Sequence, residues 1–394
     1  MLRNLLYLAC VLTDFAAFLV VFAVSRGLAE QQTAQWYLGM LGAGFSFCAG
    51  LGSIGGGWLT HRLGSKPIFL CGAVLVLFGI VGCGITPLSH PLLLASYWSL
   101  GLGLGIFYPP LIGWLNQGEQ IHHQSHGVSR TLIVFCIAWN VGMMAGQLTA
   151  GSLFRWGSSW TFRVGAVSAL LNLVVSAFAT RFVPAFTESV SVEKTETPRE
   201  LAQATQFKRL SWIANVGGMF GGSMVVHLLP GLAVAIGVSP DRHGFLLGFW
   251  RAIIILTYLV LHVATFWRYR ISVSLLSQVL AAAGMVVMFR AESETALVVG
   301  LVLLGQAVGF NYFAGLFYST VGSSQATRTL SAGIHEATLA GGMAVGTILG
   351  GTLGTVLNLR APYLLAAIMI GILAAIQAGT WWRWNRLAAD SAPA

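Results

Sequence analysis

Charged residues make up only 8% of the 394 residues and hydrophobic residues 56%, whereas ordinary soluble domains are about 25% charged. A soluble fold of this composition would expose apolar patches that monomeric proteins do not tolerate. The formal net charge of +9 does not indicate nucleic-acid binding, because the basic residues are dispersed over short segments instead of clustering in one patch. We therefore predict a polytopic membrane protein.

Long apolar runs recur along the whole chain, and about 20 helical residues suffice to cross a hydrocarbon core about 30 Å thick. We predict an all-α membrane protein with twelve spans, at 5–24, 34–59, 68–87, 92–115, 131–154, 162–183, 211–236, 244–266, 271–289, 296–320, 330–357 and 363–384. A polar segment at 184–208 divides the spans six and six. It predicts a solvated cytoplasmic linker between an N-terminal bundle at 1–183 and a C-terminal bundle at 209–394.

Twelve spans place both termini on the same side of the membrane, and the basic residues indicate which side this is. The termini and the loops on their side carry Arg3, Arg62, Lys66, Arg130, Arg181, Lys194, Arg199, Lys208, Arg209, Arg268, Arg270, Arg328, Arg383 and Arg386. The other side carries Arg26, Arg155, Arg163, Arg242, Arg290 and Arg360. Short cytoplasmic loops are rich in Lys and Arg, so we expect both termini in the cytoplasm. The lack of long external loops fits a bacterial inner membrane.

The turn between the second and third predicted spans is rich in glycine and basic residues. Residues 55–67 read Gly-Gly-Gly-Trp-Leu-Thr-His-Arg-Leu-Gly-Ser-Lys-Pro. This stretch resembles the loop between helices 2 and 3 of the major facilitator superfamily, whose pattern is Gly-x-Leu-Ala-Asp-Arg-x-Gly-Arg-Lys. The matching positions are Gly57, Leu59, Arg62, Gly64 and Lys66.

The same stretch departs from the family pattern at two positions. His61 stands where the family has Asp, and Ser65 stands where it has Arg. The family Asp latches the two halves of the transporter together in one access state. With His61 in its place, this latch is either absent or sensitive to pH, because imidazole titrates near neutral pH. We name Gly57, His61, Arg62, Gly64 and Lys66 together the gating motif.

The resemblance implies two pseudo-symmetric six-helix bundles around a central site that opens alternately to each side. It also implies a monomer without a cofactor, with helices 1, 4, 7 and 10 around the cavity and helices 2, 5, 8 and 11 between the halves. Small residues four apart in the second, fifth and eleventh spans are Gly52, Gly56, Gly142, Gly146, Gly342, Gly346, Gly350 and Gly354. They indicate either surfaces that slide between the halves or ordinary close packing of membrane helices.

Asp14 is the first of three ionisable residues inside predicted spans, where such groups are expensive and are candidates for function. It lies about ten residues into the first span, which is about 15 Å deep at about 1.5 Å per residue. Carboxyl groups in the first helix of superfamily members often take part in proton coupling or substrate binding. The other interpretation is a hydrogen bond in helix packing.

Arg251, in the eighth span, stays charged and therefore needs an anionic partner. That partner is either Asp14, Glu336 or the carboxylate or phosphate of a substrate. Superfamily members that carry monocarboxylates bind the substrate anion with an arginine of the eighth helix, and the likeness here is that one residue. A structural ion pair across the two halves is the alternative to substrate binding.

Glu336 follows His335 in the eleventh span. A histidine and a carboxyl in a membrane helix can exchange protons near neutral pH, so we predict that Asp14, Glu336 and His335 couple transport to protons. The alternative is that Glu336 pairs with a neighbouring helix and gates the interface between the halves.

Polar and aromatic residues of the cavity-lining spans are further candidates for substrate binding. With Arg251, the predicted substrate contacts are Tyr108, Asn311, Tyr312, Phe15 and Phe18. Because the chain contains 23 Phe and 13 Trp residues, contact with lipid explains any single aromatic residue equally well.

No enzyme signature is found in the sequence, neither a phosphate-binding loop ending in Gly-Lys-Ser/Thr, nor His-Glu-x-x-His, nor Gly-x-Ser-x-Gly. We expect no catalytic or metal site. The predicted function is secondary active transport of a small organic solute across the bilayer, coupled to protons and favouring an anion. Proton-driven efflux of amphipathic compounds is one alternative, and a receptor or scaffold with a transporter fold and no flux is another.

Overall fold

The computed structural model describes residues 2–116, 130–183, 198–323 and 325–390. Within these ranges there are twelve helices of a length and composition that cross a membrane, and there is no strand. They are α1 (Leu2–Glu30), α2 (Gln35–Leu63), α3 (Ser65–Ile85), α4 (Leu92–Asn116), α5 (Arg130–Trp156), α6 (Ser158–Ala179), α7 (Pro198–Ser223, then a π-helical turn Met224–Leu228, then Leu229–Ala235), α8 (Pro240–Val263), α9 (Ile271–Phe289), α10 (Glu294–Val321), α11 (Gln325–Val356) and α12 (Ala361–Asp390). The predicted all-α fold is confirmed.

The helices form two six-helix bundles. In the first, α1 packs on α5 and α6, while α4 packs on α2 and α3. In the second, α7 packs on α10, α11 and α12, while α9 packs on α10 and α12. Helix α7 begins at Pro198, inside the segment expected to be the linker, and residues 184–197 lie outside the described residues. The bundles meet through two antiparallel helix pairs, α2 with α11 and α5 with α8.

We name the side of the molecule where α1 begins and α12 ends the termini face, and the other side the opposite face. At the opposite face, α2 and α11 touch backbone to backbone. A Cβ atom at Gly39 would lie 2.5 Å from the backbone oxygen of Thr347 and 2.9 Å from Cα of Gly351. A Cβ at Gly244 of α8 would likewise lie 2.9 Å from Cα of Gly151 in α5. Only glycine permits this approach, so both helix pairs are closed there.

Polar contacts join the bundles at the same face. Arg155 of α5 forms an ion pair with Asp241 of α8 at 3.0 Å, and the backbone nitrogen of Trp36 in α2 donates to Thr355 Oγ1 of α11 at 2.7 Å. The π-helical turn of α7 inserts His227, 1% exposed, against α2.

The slot for His227 is built by the first bundle. A Cβ at Gly42 would lie 2.5 Å from Cγ of the His227 ring, and the Tyr97 hydroxyl lies 3.4 Å from His227 Nδ1. The imidazole of one bundle therefore fills a space that the other bundle leaves open.

At the termini face the two bundles diverge. In the described part of the chain, no atom of a neighbouring helix lies within 4 Å of a Cβ placed at Gly57 of α2 or at Gly333 of α11. Helices α2 and α11 therefore touch at the opposite face and do not touch at Gly57 and Gly333 of the termini face.

Most glycines singled out by their four-residue spacing pack inside a bundle. Gly142 and Gly146 of α5 face backbone oxygens of α1, while Gly342 and Gly346 of α11 face backbone oxygens of α7. Gly52 and Gly56 face α4, and Gly350 faces α7. Gly354 faces Gln35 across the interface. For seven of these eight, ordinary helix packing is the interpretation that the structure supports.

Candidate functional site

Asp14 lies in α1 near the middle of the first bundle and is 1% exposed. The Tyr108 hydroxyl of α4 donates a hydrogen bond to its Oδ2 atom, and the thiol of Cys10, one turn earlier, lies 3.9 Å from the same oxygen. The other oxygen, Oδ1, has no hydrogen-bond partner among the described residues. The carboxyl is therefore held at Oδ2, and the Trp139 side chain of α5 also interacts with it.

Glu336 has a corresponding arrangement in the second bundle. The Tyr312 hydroxyl of α10 donates to Glu336 Oε1 at 3.2 Å, and the carboxyl is partly exposed. Helices α4 and α10 hold equivalent places in the two bundles, so each bundle presents one carboxyl held by one tyrosine. Asp14 lies near the middle of α1, whereas Glu336 lies in the half of α11 that is nearer the termini face.

His335 packs against the same tyrosine as its neighbour in the chain. Its ring centre lies 5.0 Å from that of Tyr312, and it fills the space next to Gly315, where a Cβ would lie 2.6 Å from His335 Nδ1. Neither ring nitrogen has a hydrogen-bond partner among the described residues. His335 and Glu336 thus meet at Tyr312, and the role of His335 in proton coupling stays a prediction.

Arg251 reaches from α8 towards the first bundle and is 7% exposed. Its guanidinium carbon lies over two aromatic rings, 4.5 Å from the centre of Trp250 and 5.4 Å from the centre of Phe18 in α1. Among the described residues, no Asp or Glu oxygen lies within 4.0 Å of its nitrogens, and Nε has no partner. The ion pair with Asp14 or Glu336 that the sequence allowed is not formed.

Asp14 nevertheless interacts with Arg251 electrostatically. Since the two residues belong to different bundles, the site spans the interface between them. A buried arginine keeps its charge, and its Nε has no hydrogen-bond partner among the described residues.

Aromatic rings of both bundles line the same interface. The ring of Trp139 in α5 lies 5.3 Å from that of Tyr312, and Tyr258 in α8 lies 6.2 Å from Tyr312. Sequence reasoning missed Trp139 and Tyr258. Tyr258 follows Arg251 by seven residues, two helical turns, so it shares the face of α8 that carries Arg251. This seven-residue spacing from Arg251 was the feature of the sequence that could have identified Tyr258.

Two of the predicted substrate contacts are engaged in helix packing. Asn311 is 1% exposed, and its Nδ2 donates to the backbone oxygen of Ala214 in α7 at 2.9 Å. Phe15 is partly exposed, and its backbone packs against Gly146 of α5. Phe18, Tyr108 and Tyr312 are the predicted contacts that lie beside the three ionisable groups.

The gating motif lies at the termini face, away from the second bundle. Gly64 alone connects α2 to α3, with φ of 87°, a conformation that glycine adopts readily. His61, Arg62 and Lys66 are exposed, and the Arg62 guanidinium lies 4.0 Å from the centre of the Trp58 ring. Among the described residues His61 forms no hydrogen bond or ion pair, so the motif does not latch the bundles here.

The profile of the Major Facilitator Superfamily matches residues 6–326. The chain belongs to the Major Facilitator Superfamily. It is a membrane transporter, not an enzyme, and the fold implies a small-molecule substrate. A comparison with curated proteins gives no match.

Solved structures of superfamily transporters resemble this chain over nearly its whole length. A bacterial homolog of the human lysosomal transporter Spinster, in an inward-facing and unoccupied conformation, has a TM-score of 0.73 at 14% identity and covers 97% of both chains. D-xylose-proton symporter has a TM-score of 0.71 at 15% identity, covering 95% of this chain and 96% of that one. The human organic anion transporter MFSD10 has a TM-score of 0.68 at 15% identity, covering 95% and 98%. At these identities the likeness shows the fold alone.

Proposed function

We propose that this superfamily transporter carries small organic anions together with protons by alternating access. The observation that carries the proposal is Arg251, a buried cation with no carboxylate within 4.0 Å among the described residues. An unpaired buried charge destabilises a protein strongly, by about 3–5 kcal/mol when a partner is removed. A substrate carboxylate would supply the missing countercharge with bidentate hydrogen bonds.

Asp14 provides the coupling to protons in this proposal. Its carboxylate and the substrate anion compete for the positive charge on Arg251, because Asp14 interacts with this arginine electrostatically. A proton on Asp14 removes the competition, so the anion and the proton are carried together. Tyr108 holds the carboxyl in position in either protonation state, since its hydroxyl already donates to Oδ2.

Glu336 is the second proton carrier in the proposal. It is partly exposed and lies in the half of α11 that points to the open termini face, where protons reach it from bulk water. Tyr312 links it to His335 on one side and to Trp139 across the interface on the other. This position couples its protonation to the approach of the two bundles.

The orientation follows from the excess of Lys and Arg on the side of the termini. We assign that side to the cytoplasm of a bacterium, which makes the structure an inward-open state of an inner-membrane protein acting as a monomer. The gating motif then belongs to the cytoplasmic closure of the opposite, outward-open state.

Proton movement in liposomes tests the proposed function. A pH-sensitive dye inside the vesicles should report acidification when a panel of small carboxylates is added outside. Arg251→Gln and the double variant Asp14→Asn, Glu336→Gln should abolish this acidification. Arg163→Gln, at an exposed arginine of α6, is the matched control and should leave it unchanged. Unchanged proton-linked uptake in the double variant would refute the proton carriers, and unchanged uptake in Arg251→Gln would refute the anion site.

Efflux of amphipathic cations is a second candidate, favoured by the aromatic lining from Trp139, Tyr258 and Tyr312 around the buried Asp14. It predicts that amphipathic cations, and not carboxylates, drive proton movement in the same vesicles. Arg251→Gln would then preserve or enhance transport, because it removes a repelling positive charge.

A further inference from the structure

The Arg251 guanidinium is covered by ring surfaces that provide no hydrogen-bond acceptor. Its carbon lies over the faces of Phe18 and Trp250, one ring from each bundle. Cation–π contacts of this kind stabilise the charge, but the N–H groups at the edge of the guanidinium still need an acceptor in their plane. A carboxylate therefore binds the edge of the Arg251 guanidinium. The rest of the substrate then lies beside the neighbouring aromatic rings.

The rings continue from Arg251 across the interface between the bundles. Tyr258, which interacts electrostatically with Arg251, lies 6.2 Å from Tyr312, and Tyr312 lies 5.3 Å from Trp139. Aromatic pairs attract at centre separations of about 4.5–7 Å in tilted or offset arrangements. A further flat ring entering between the bundles finds such partners on both sides.

The amide N–H groups and tyrosine hydroxyls of this region already donate hydrogen bonds, while Asn311 Oδ1 has no partner among the described residues. Asn140 donates to the backbone oxygen of Cys136 at 3.0 Å, and Asn311 donates to that of Ala214 at 2.9 Å. The hydroxyls of Tyr108 and Tyr312 donate to the two carboxyls. A sugar or nucleoside needs several well-placed hydrogen-bond partners, and leaving its polar groups unpaired in a buried site is strongly unfavourable. Because these donors are already engaged, the site offers a polyhydroxy substrate few free donors.

From these three observations we infer that the anion held at Arg251 is a planar aromatic monocarboxylate. The inference rests on the proposed function, because it names the substrate class of the same site. The carboxylate binds the edge of the guanidinium, and the ring of the substrate packs among Phe18, Trp139, Tyr258 and Tyr312.

Calorimetric titration of the purified protein with three probes of similar size tests the inference. Benzoate has both the charge and the ring, cyclohexanecarboxylate has the charge without the aromatic face, and benzamide has the ring without the charge. Benzoate should bind about three- to tenfold more tightly than cyclohexanecarboxylate, the range expected for aromatic pairing. Benzamide should bind at least about tenfold more weakly than benzoate, because a hydrogen-bonded charge is lost.

Substitutions at Trp139 assign the preference to the rings of the interface. Trp139→Leu should remove the preference for benzoate. Because Trp139→Leu and Trp139→Phe both lose the indole N–H that interacts with Asp14, their affinities for cyclohexanecarboxylate should agree within about twofold. Trp139→Phe, which keeps a ring, should retain the preference, and it keeps the test valid if the leucine variant does not fold. Trp160→Leu, at a tryptophan of α6 that is 49% exposed, should change neither affinity.

The outcomes separate this inference from the proposed function. Equal binding of the two carboxylates, or a benzoate preference that survives Trp139→Leu, would overturn the aromatic class and leave anion transport standing. Benzamide binding as tightly as benzoate would overturn both, because Arg251 would then not hold an anion. Absence of benzoate binding would overturn the aromatic class alone, and the liposome assay with the wider carboxylate panel decides the proposed function by itself.

Discussion

The interface between α2 and α11 is closed at one end and open at the other, although glycine is abundant at both ends. At the opposite face Gly39 touches Gly351, and a Cβ at Gly50, further along, would lie 3.0 Å from Cβ of Ala340. Each step along α2 is matched by an equal step back along α11. Continued by two turns, this register brings Gly57 opposite Gly333, the two glycines that face open space. The sequence therefore allows α2 and α11 to pack closely at the termini face as well. Their close contact at the opposite face prevents this second contact from forming.

Gly39→Leu should have the largest effect, because it places a side chain where even a Cβ would lie 2.5 Å from the Thr347 oxygen. Overpacking costs about 1–3 kcal/mol, which shifts the equilibrium away from the closed opposite face by about 5- to 150-fold. Maleimide labelling of Gln35→Cys, at a residue buried in that closure, measures the shift. Gly371→Leu, where no described atom of another helix lies within 4 Å, is the control, and equal labelling in both variants would contradict the closure.

Cross-linking of α2 to α11 tests whether the two helices can meet at the termini face. Gly57→Cys combined with Gly333→Cys should form a disulfide only when the termini face closes, since a bridge needs Cα atoms within about 7 Å. The yield should rise when Gly39→Leu is added, because the competing closure is blocked. Gly55→Cys with Gly333→Cys, about 200° away around α2, should cross-link poorly. A yield that is the same for both pairs would mean that the register does not extend to this end.

Breaking the ion pair between Arg155 and Asp241 should have a smaller effect on the closed end. The pair is solvent-exposed, and such pairs contribute about 0.2–1 kcal/mol. Asp241→Asn should raise the labelling of Gln35→Cys by less than about fivefold. A rise as large as that caused by Gly39→Leu would show that charge, and not backbone contact, holds the opposite face closed.

His61→Asp should have the smallest effect, and only at the open end. His61 is exposed and without a described partner here, so replacing it restores the family pattern without disturbing the present state. Cross-linking of the Gly57→Cys, Gly333→Cys pair should increase by about two- to fivefold, the range of an exposed ionic contact. A yield whose dependence on pH between about pH 6 and pH 8 is the same with His61 in place and in the His61→Asp variant would rule out a pH-sensitive latch.

Much of the architecture follows from local properties of the sequence. Span length and the glycine turn at Gly64 depend on neighbouring residues, and the depth of Asp14 and Arg251 follows from counting along a helix. The interface between the two bundles cannot be predicted from such local properties. Gly142 and Gly39 both lie in glycine-containing membrane helices, yet one packs inside a bundle and the other between bundles, because the register between distant helices is a tertiary property.

The candidate site, too, could be predicted from the sequence only in part. The sequence places Asp14, Arg251 and Glu336 inside the membrane, since a charge in an apolar run is conspicuous. It does not distinguish Trp139, which meets the other bundle, from Trp160, which is half exposed, because both are aromatic residues in apolar helices. Nor does it predict that the Asn311 amide donates to a backbone carbonyl of α7.

The π-helical turn at Met224–Leu228 bears on how the two bundles were matched during evolution. Such a turn holds one residue more than an α-helical turn, and deleting that residue would rotate the preceding and following segments by about 100° relative to each other. His227 would then leave its slot beside Gly42 and Tyr97, while the composition of α7 would hardly change. A single additional residue in α7 is thus enough to seat His227 of one half of the transporter against the other half.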